Sequence, residues 1–340
     1  MFRRITQAFV VFAIFVVVST TAVLACTLPA MQTGERPGAE NGPTQVTASF
    51  IIADLLGVDD VNQQLDLDII GQFSWTDPRL VGLEGCRFTV SQVWFPPLVL
   101  FNSSNLRETR TQARNQVLIG VNGQVTYLQR YTGRISSYHN LRDFPFDSQK
   151  FLIEIGLITL NSDQLQLVAD NERTWISERL NIEGWSVENV NLASDVYFLK
   201  QANQDVSVLA LTIDAKRDQD YYVYRVLLLL GFVVAMSWII FWIPPSRFEF
   251  QIGLGATAML TVIAFNLSVS SSLPRLGYLT ILDKILAISI GLVFLSIVEA
   301  LVAGLLVLKD REDLAVKIDM VSRFLFPIAL VLGWYILIYY

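Results

Sequence analysis

The chain of 340 residues is 53% hydrophobic and only 16% charged, with a formal net charge of -6. That composition excludes an ordinary soluble protein and argues against nucleic acid as a partner. One histidine, His139, and two cysteines, Cys26 and Cys86, leave no metal cluster and no internal disulfide framework. Neither a cofactor nor a catalytic residue is expected, because no phosphate loop, GxSxG elbow or His-containing triad is present.

Arg3 and Arg4 precede an apolar run from Ala8 to Val18, and Val23-Leu24-Ala25 follows. Residues 1–25 read as an export signal, with an apolar part short for a membrane span. Cleavage after Ala25 leaves Cys26 first, where a lipid could be attached; Leu24 fits that signal poorly, and plain export is the preferred reading. Residues 26–44 hold Pro29, Gly34, Pro37, Gly38, Gly42 and Pro43 and are expected to form a mobile linker in which Cys26 has no partner.

Residues 45–217 predict a β-sandwich. Gln64-Leu65-Asp66-Leu67-Asp68-Ile69 alternates polar and apolar, as a half-buried strand does. Similar runs follow at Phe88 to Val93, Gln116 to Val121, Val125 to Arg130, Phe151 to Gly156, Trp185 to Asn191 and Val206 to Asp214. Turn signals separate them at Thr76-Asp77-Pro78, Asn122-Gly123 and Glu183-Gly184, and Asn-Gly is the strongest hairpin signal of these. Short strands without helical periods between them indicate an antiparallel sandwich, placed outside the membrane by the export signal.

Residues 218–340 predict an all-α transmembrane domain. Tyr221 to Ile243, Glu249 to Ser271, Tyr278 to Leu308 and Phe324 to Tyr340 are each of spanning length. Pro244-Pro245-Ser246-Arg247 is short enough to make the first two an antiparallel hairpin, and Tyr or Trp residues stand at segment ends as interfacial anchors. Lys309 to Arg323 mixes basic and acidic residues and is expected inside, so the orientation rests on the export signal.

The second span is the most polar. Gly253, Thr257, Thr261, Asn266 and the serines from Ser270 to Ser272 lie among Leu, Ile, Val and Ala, which lipid would disfavour and a water-filled path would accept. Glu249, Gly253, Thr257, Leu260, Ala264 and Leu267 share one helical face. Around an axis, Glu249 would form an acidic ring with Gly253 and Thr257 beside it, and Leu260, Ala264 and Leu267 a dewetting constriction. Ordinary packing of the same face is the alternative, and the rotation of the helix separates the two. Glu299, the only ionisable residue in the middle of a span, is expected to bond a neighbouring helix.

Phe144-Pro145-Phe146-Asp147-Ser148-Gln149 resembles the signature loop of the pentameric ligand-gated ion channels, the Cys-loop receptor superfamily. Ser137 and Phe151 stand where many members carry a disulfide, as in the bacterial branch. Trp75, Trp94-Phe95-Pro96, Gly184-Trp185, Arg217, Ser237-Trp238, Leu273-Pro274-Arg275 and Phe326-Pro327 match in order, and the resemblance covers nearly everything from Val46 onward.

This resemblance implies a homopentamer in the bacterial inner membrane, surrounded by lipid, with its N-terminal domain periplasmic. A small-molecule or ionic agonist would bind between β-domains, and permeant monovalent cations would pass a pore lined by the second span. It further implies coupling through Asp59, Asp147 and Arg217 against the loop containing Pro274. Arg130, Tyr197 and Phe198 are the agonist-site candidates, Arg130 for a carboxylate and the aromatics for a cation. Asn62 and Val262 replace an acid and a histidine implicated in proton sensing, Gly156, Leu157 and Ile158 leave an aromatic box incomplete, and Leu229 replaces a proline that kinks the first span. A membrane-anchored sensor without conduction is the alternative, and it leaves the polar second span unexplained.

Overall fold

The computed structural model describes residues 26–28, 34–109, 115–177, 180, 182–271 and 273–339. The expected export signal lies outside them, as do Pro29, Ser272 and Tyr340.

Among the described residues twelve strands build two sheets. The first contains β1 (Thr44–Asp59), β2 (Gln64–Thr76), β3 (Arg87–Thr89), β5 (Ser103–Thr109), β6 (Gln116–Ile119), β7 (Gln124–Ser136), β9 (Leu165–Ala169) and β10 (Trp175–Ile176). The second contains β4 (Leu98–Leu100), β8 (Ser148–Leu157), β11 (Trp185–Leu199) and β12 (Gln204–Arg217). Strand alternation explains the core between them. On β2, Leu65, Leu67, Ile69, Phe73 and Trp75 are buried, and they share one cluster with Phe151, Ile153, Leu211 and Ile213 of the second sheet. The expected run from Phe88 to Val93 ends as a strand at Thr89, because the Gln92 side chain accepts from the Thr89 backbone N–H and hydroxyl and turns the chain.

The Asn122-Gly123 turn joins β6 to β7 with φ of 59° and 71°, both left-handed. A Cβ on Gly123 would come within 2.3 Å of the Asp77 carbonyl oxygen, so this turn requires glycine for space as well as conformation.

Cys26 and Cys86 are joined in a disulfide, which overturns the expectation that Cys26 has no partner. Cys86 belongs to the sandwich core, and a pairing across 60 positions leaves no local trace in sequence. The described part of the expected mobile linker is also tied down. Arg36 donates to the carbonyl oxygens of Ala39 and Gly42, and the Thr44 hydroxyl donates to that of Pro37. The disulfide occupies the thiol that lipid attachment would need.

Among the described residues four helical segments of spanning length and composition follow. The first opens with a π-helical stretch (Tyr222–Leu227), continues as α1 (Leu228–Ser237) and tightens into a 3-10 turn (Trp238–Trp242). Without proline at Leu229, its irregularity lies in changes of helical winding. The others are α2 (Phe248–Ser270), α3 (Ile281–Leu308) and α4 (Glu312–Tyr339). Thr280 and Asp283 cap α3 reciprocally. The fourth helix starts well before the expected Phe324. Ala315, Asp319, Ser322, Phe326 and Leu330 bury one face at helical spacing, and Glu312, Asp313 and Lys317 lie on the exposed side, so most of the charges before Phe324 are compatible with helix. The Glu299 carboxyl of α3 lies near that of Asp319 in α4, but both of its oxygens are buried without a hydrogen-bond partner among the described residues, so the bond to a neighbouring helix expected of it is not found.

Cys26→Ser should lower the thermal unfolding midpoint of the β-domain, since closing a loop of this length contributes about 2–4 kcal/mol. Non-reducing peptide mapping should recover a Cys26–Cys86 peptide, and two free thiols would exclude the bridge.

Candidate functional site

Three groups of side chains stand out. The first lies on α2, whose buried face consists of Gln251, Gly255, Ala258 and Val262. A Cβ on Gly255 would meet Ile297 of α3 at 2.6 Å, so the small residue lets the two helices approach. Gln251 is fully buried, and its Nε2 donates to the carbonyl oxygens of Ile240 (3.0 Å) and Ile243 (2.9 Å), tying α2 to the end of the first span.

Glu249, Gly253, Thr257, Leu260, Ala264 and Leu267 are all exposed and lie about half a turn from the buried face. The Thr257 hydroxyl donates to the Gly253 carbonyl oxygen and that of Thr261 to the Thr257 carbonyl oxygen, both at 2.9 Å. Their protons are thus used within the helix, and the oxygens present lone pairs outward.

The second group lies where the domains meet. Arg217, the last residue of β12, is 6% exposed. Its Nε donates to Asp147 Oδ1 at 2.7 Å, and its Nη1 to Asp60 Oδ2 at 2.8 Å. The guanidinium lies 4.2 Å from the Trp185 ring centre and 4.8 Å from that of Phe144. The carboxylate opposite Asp147 is therefore that of Asp60, and the expectation of Asp59 is corrected. Asp59 instead accepts from the Asn62 backbone and side chain, closing the β1–β2 turn. Adjacent aspartates point in different directions, and the turn geometry decides which one reaches Arg217.

Burial pushes the Asp60 carboxyl up, but hydrogen bonds from His139 and Arg217 outweigh it and hold it below the usual range. Burial pulls the Arg217 guanidinium down, and its bonds to Asp147 and Asp60 raise it further above its ordinary value. Tyr278, in the loop that also holds Pro274, accepts from the Leu141 backbone N–H, and the backbones of Ile281 and Leu282 donate to Arg142 and Phe144. The Phe144–Asp147 loop thus bonds to the start of α3, while the Phe144 ring packs edge-on against Tyr222 of the first span.

The third group is divided between the sheets. Arg130 on β7 makes a two-pronged ion pair with Asp68 on β2, which lowers that carboxyl, so Arg130 is not a free receptor for a carboxylate. Tyr197, near the tip of the β11–β12 hairpin, donates to Glu154 Oε1 at 2.6 Å. This hydrogen bond, with burial, pushes the phenol up to about 12. Phe198 beside it is exposed. Arg130 and Tyr197 do not meet within one chain.

Sequence reasoning missed Asp60, His139, Trp185, Phe144 and Glu154 as site residues. His139 carried a signal: it is the sole histidine and stands eight positions before Asp147.

Residues 24–219 match the neurotransmitter-gated ion-channel ligand binding domain, and residues 231–313 the neurotransmitter-gated ion-channel transmembrane region. Among similar proteins, a proton-gated ion channel of Gloeobacter violaceus is 23% identical over 87% of this chain and 83% of its own length. A gamma-aminobutyric acid receptor subunit beta of Caenorhabditis elegans is 26% identical over 78% of this chain and 50% of its own length. The subunit of the same name in Lymnaea stagnalis is 24% identical over 78% and 56%, respectively. The chain spans only about half of these two subunits.

Asp60→Asn should destabilise the protein by about 2–4 kcal/mol, because Arg217 loses a charged partner while staying buried. Asp59→Asn should cost about 1 kcal/mol or less, the scale of a turn hydrogen bond. Because the folded Asp60 carboxyl is depressed, its contribution is present above the ordinary carboxylate range and is lost as pH falls below about 4. Unfolding curves of both variants at neutral and acid pH check the contrast; equal losses would reject the assignment of Asp60.

Proposed function

Because this chain belongs to the neurotransmitter-gated ion-channel family, we propose that it forms a homopentameric, cation-conducting channel of the bacterial inner membrane. In this reading agonist binding between neighbouring periplasmic β-domains opens a pore lined by α2. The observation that carries it is the unpartnered face of α2. A helix that buries Gln251 inward and leaves Glu249, Gly253 and Thr257 uncovered requires something other than lipid on that side.

Copies around an axis would place the Glu249 carboxylates at the inner mouth, Thr257 oxygens above them, and Leu260, Ala264 and Leu267 as the hydrophobic gate. A carboxylate ring concentrates cations in a narrow neck, and oxygens whose protons are already donated can ligate cations but not anions. Without a carbonyl-lined filter, small monovalent cations would pass with little discrimination. Residues 1–25 would direct export, 45–217 form the ligand-binding unit and 218–340 the pore unit.

For gating, the reading assigns coupling to Arg217, Asp147 and Asp60, with the loop holding Pro274 as their transmembrane counterpart. For the agonist, it favours a small cationic amine. Glu154 supplies a carboxylate under the β11–β12 hairpin, with Tyr197 and the exposed Phe198 beside it, whereas Arg130 is already neutralised by Asp68.

Subunit counting by cross-linking should give a ring of five. In a planar bilayer under a sodium chloride gradient, the wild-type reversal potential should lie near the sodium equilibrium value, and Glu249→Ala should move it toward zero. A potential near the chloride value would overturn cation selectivity. Activation by n-butylamine or γ-aminobutyrate, with none by acetate, should weaken at least about tenfold in Glu154→Gln, the scale of one charge-assisted contact. An unchanged response would remove Glu154 from the agonist site.

A further inference from the structure

His139 is 1% exposed and lies in the connection between β7 and β8. Its Nδ1 lies 3.0 Å from Asp60 Oδ1. A carboxylate oxygen only accepts, so Nδ1 carries the proton and donates it. Its backbone N–H donates to Gln63 Oε1 at 2.6 Å, and its ring meets Phe151 edge-on. The other ring nitrogen, Nε2, is buried and has no hydrogen-bond partner among the described residues. Asp60 Oδ1 is shared, because Arg217 Nη2 reaches it at 3.1 Å.

The imidazole touches Asp60 of the β1–β2 turn, and through it joins a cluster that holds Arg217 from β12 and Asp147 from the loop before β8. Gln149 on β8 donates to Asp147, and the Tyr222 hydroxyl of the first span lies close to Arg217. Two carboxylates face one guanidinium, so one negative charge in a buried cluster is unmatched. Imidazole is the side chain that ordinarily gains or loses a proton between pH 5 and 8.

We propose that His139 is the positioning residue of the coupling cluster: it holds Asp60 against Arg217, and its proton occupancy is linked to the pairing of Arg217. The inference rests on the coupling role given above to Arg217. Protonation turns the bond to Asp60 into a charge-assisted one and draws Oδ1 away from Nη2. Conversely, any motion that withdraws Arg217 leaves the Asp60 carboxylate beside the ring without its guanidinium partner and favours proton uptake. If gating unpairs Arg217, acid and opening reinforce each other by linkage.

A single histidine makes the test direct. The full channel, purified without a histidine tag and returned to lipid, is labelled at histidine ring nitrogens, and its NMR shifts are followed from alkaline to acid pH. The expected neutral form carries its proton on Nδ1. Relative to wild type, Arg217→Gln should raise the titration midpoint by about one pH unit, a tenfold gain in proton affinity. Asp147→Asn should lower it, which provides a second variant of opposite sign should the first not assemble. A neutral Nε2–H form, or midpoints that stay fixed in both variants, would overturn the proposal. Normal gating by Arg217→Gln channels alongside the expected shifts would instead remove the coupling role and leave the linkage standing.

Discussion

A guanidinium withdrawn from water is the constraint on which the junction depends. Arg217 ends β12 only a few residues before the first span, so the backbone that carries it leads directly into the membrane domain. An isolated buried cation would be too costly, and the chain supplies two carboxylates and two aromatic faces to satisfy it. Those partners come from the β1–β2 turn, the loop before β8 and the start of β11. Breaking one contact leaves charge uncovered at the others. The Phe144–Asp147 loop also bonds to the start of α3, which joins this electrostatic knot to a second helix.

The membrane domain obeys a complementary rule. Several polar groups facing the helix bundle are satisfied within it: the Gln251 amide N–H by the end of the first span, Ser289 and Ser296 by their own helix, and Thr280 by its cap, whereas Gln251 Oε1 and the Glu299 carboxyl are buried without a hydrogen-bond partner among the described residues. Polar groups on the opposite side of α2 have no neighbouring helix among the described residues of the chain. Lipid cannot meet that demand, and this is the ground on which α2 is proposed to line the pore. The hydroxyl back-bonds of Thr257 and Thr261 fit this placement, since they spare the donors while leaving acceptors outward.

Much of the architecture was legible because it is written in periodicity. The Gln64–Ile69 alternation, the Asn122-Gly123 turn and four apolar segments each report a local preference that tertiary packing did not override. The site was less legible because its geometry depends on contacts distant in sequence. Asp59 and Asp60 are equivalent neighbours until the turn assigns one to Asn62 and the other to Arg217. Cys26 and Cys86 carry no spacing signal across the strands between them. The early start of α4 was hidden because charges on one side of a helix resemble a loop when its buried face is not read separately.

The two halves of the candidate agonist surface follow the same distinction between used and available charge. Sequence presents Arg130 as a cation and Glu154 as an ordinary strand acid. Folding inverts their value: Asp68 stands across β2 and β7 from Arg130 and consumes its fork, whereas the Glu154 carboxylate accepts from a neutral phenol and, among the described residues, has no cationic partner. A phenol donates one hydrogen bond and cancels no charge, so Glu154 keeps its negative field beneath the hairpin. A cationic ligand meeting Glu154 would therefore exchange one hydrogen bond for a charge pair, while a carboxylate meeting Arg130 would first have to displace an anion. This difference in competing partners, more than the identity of either residue, gives the proposed site its preference for cations.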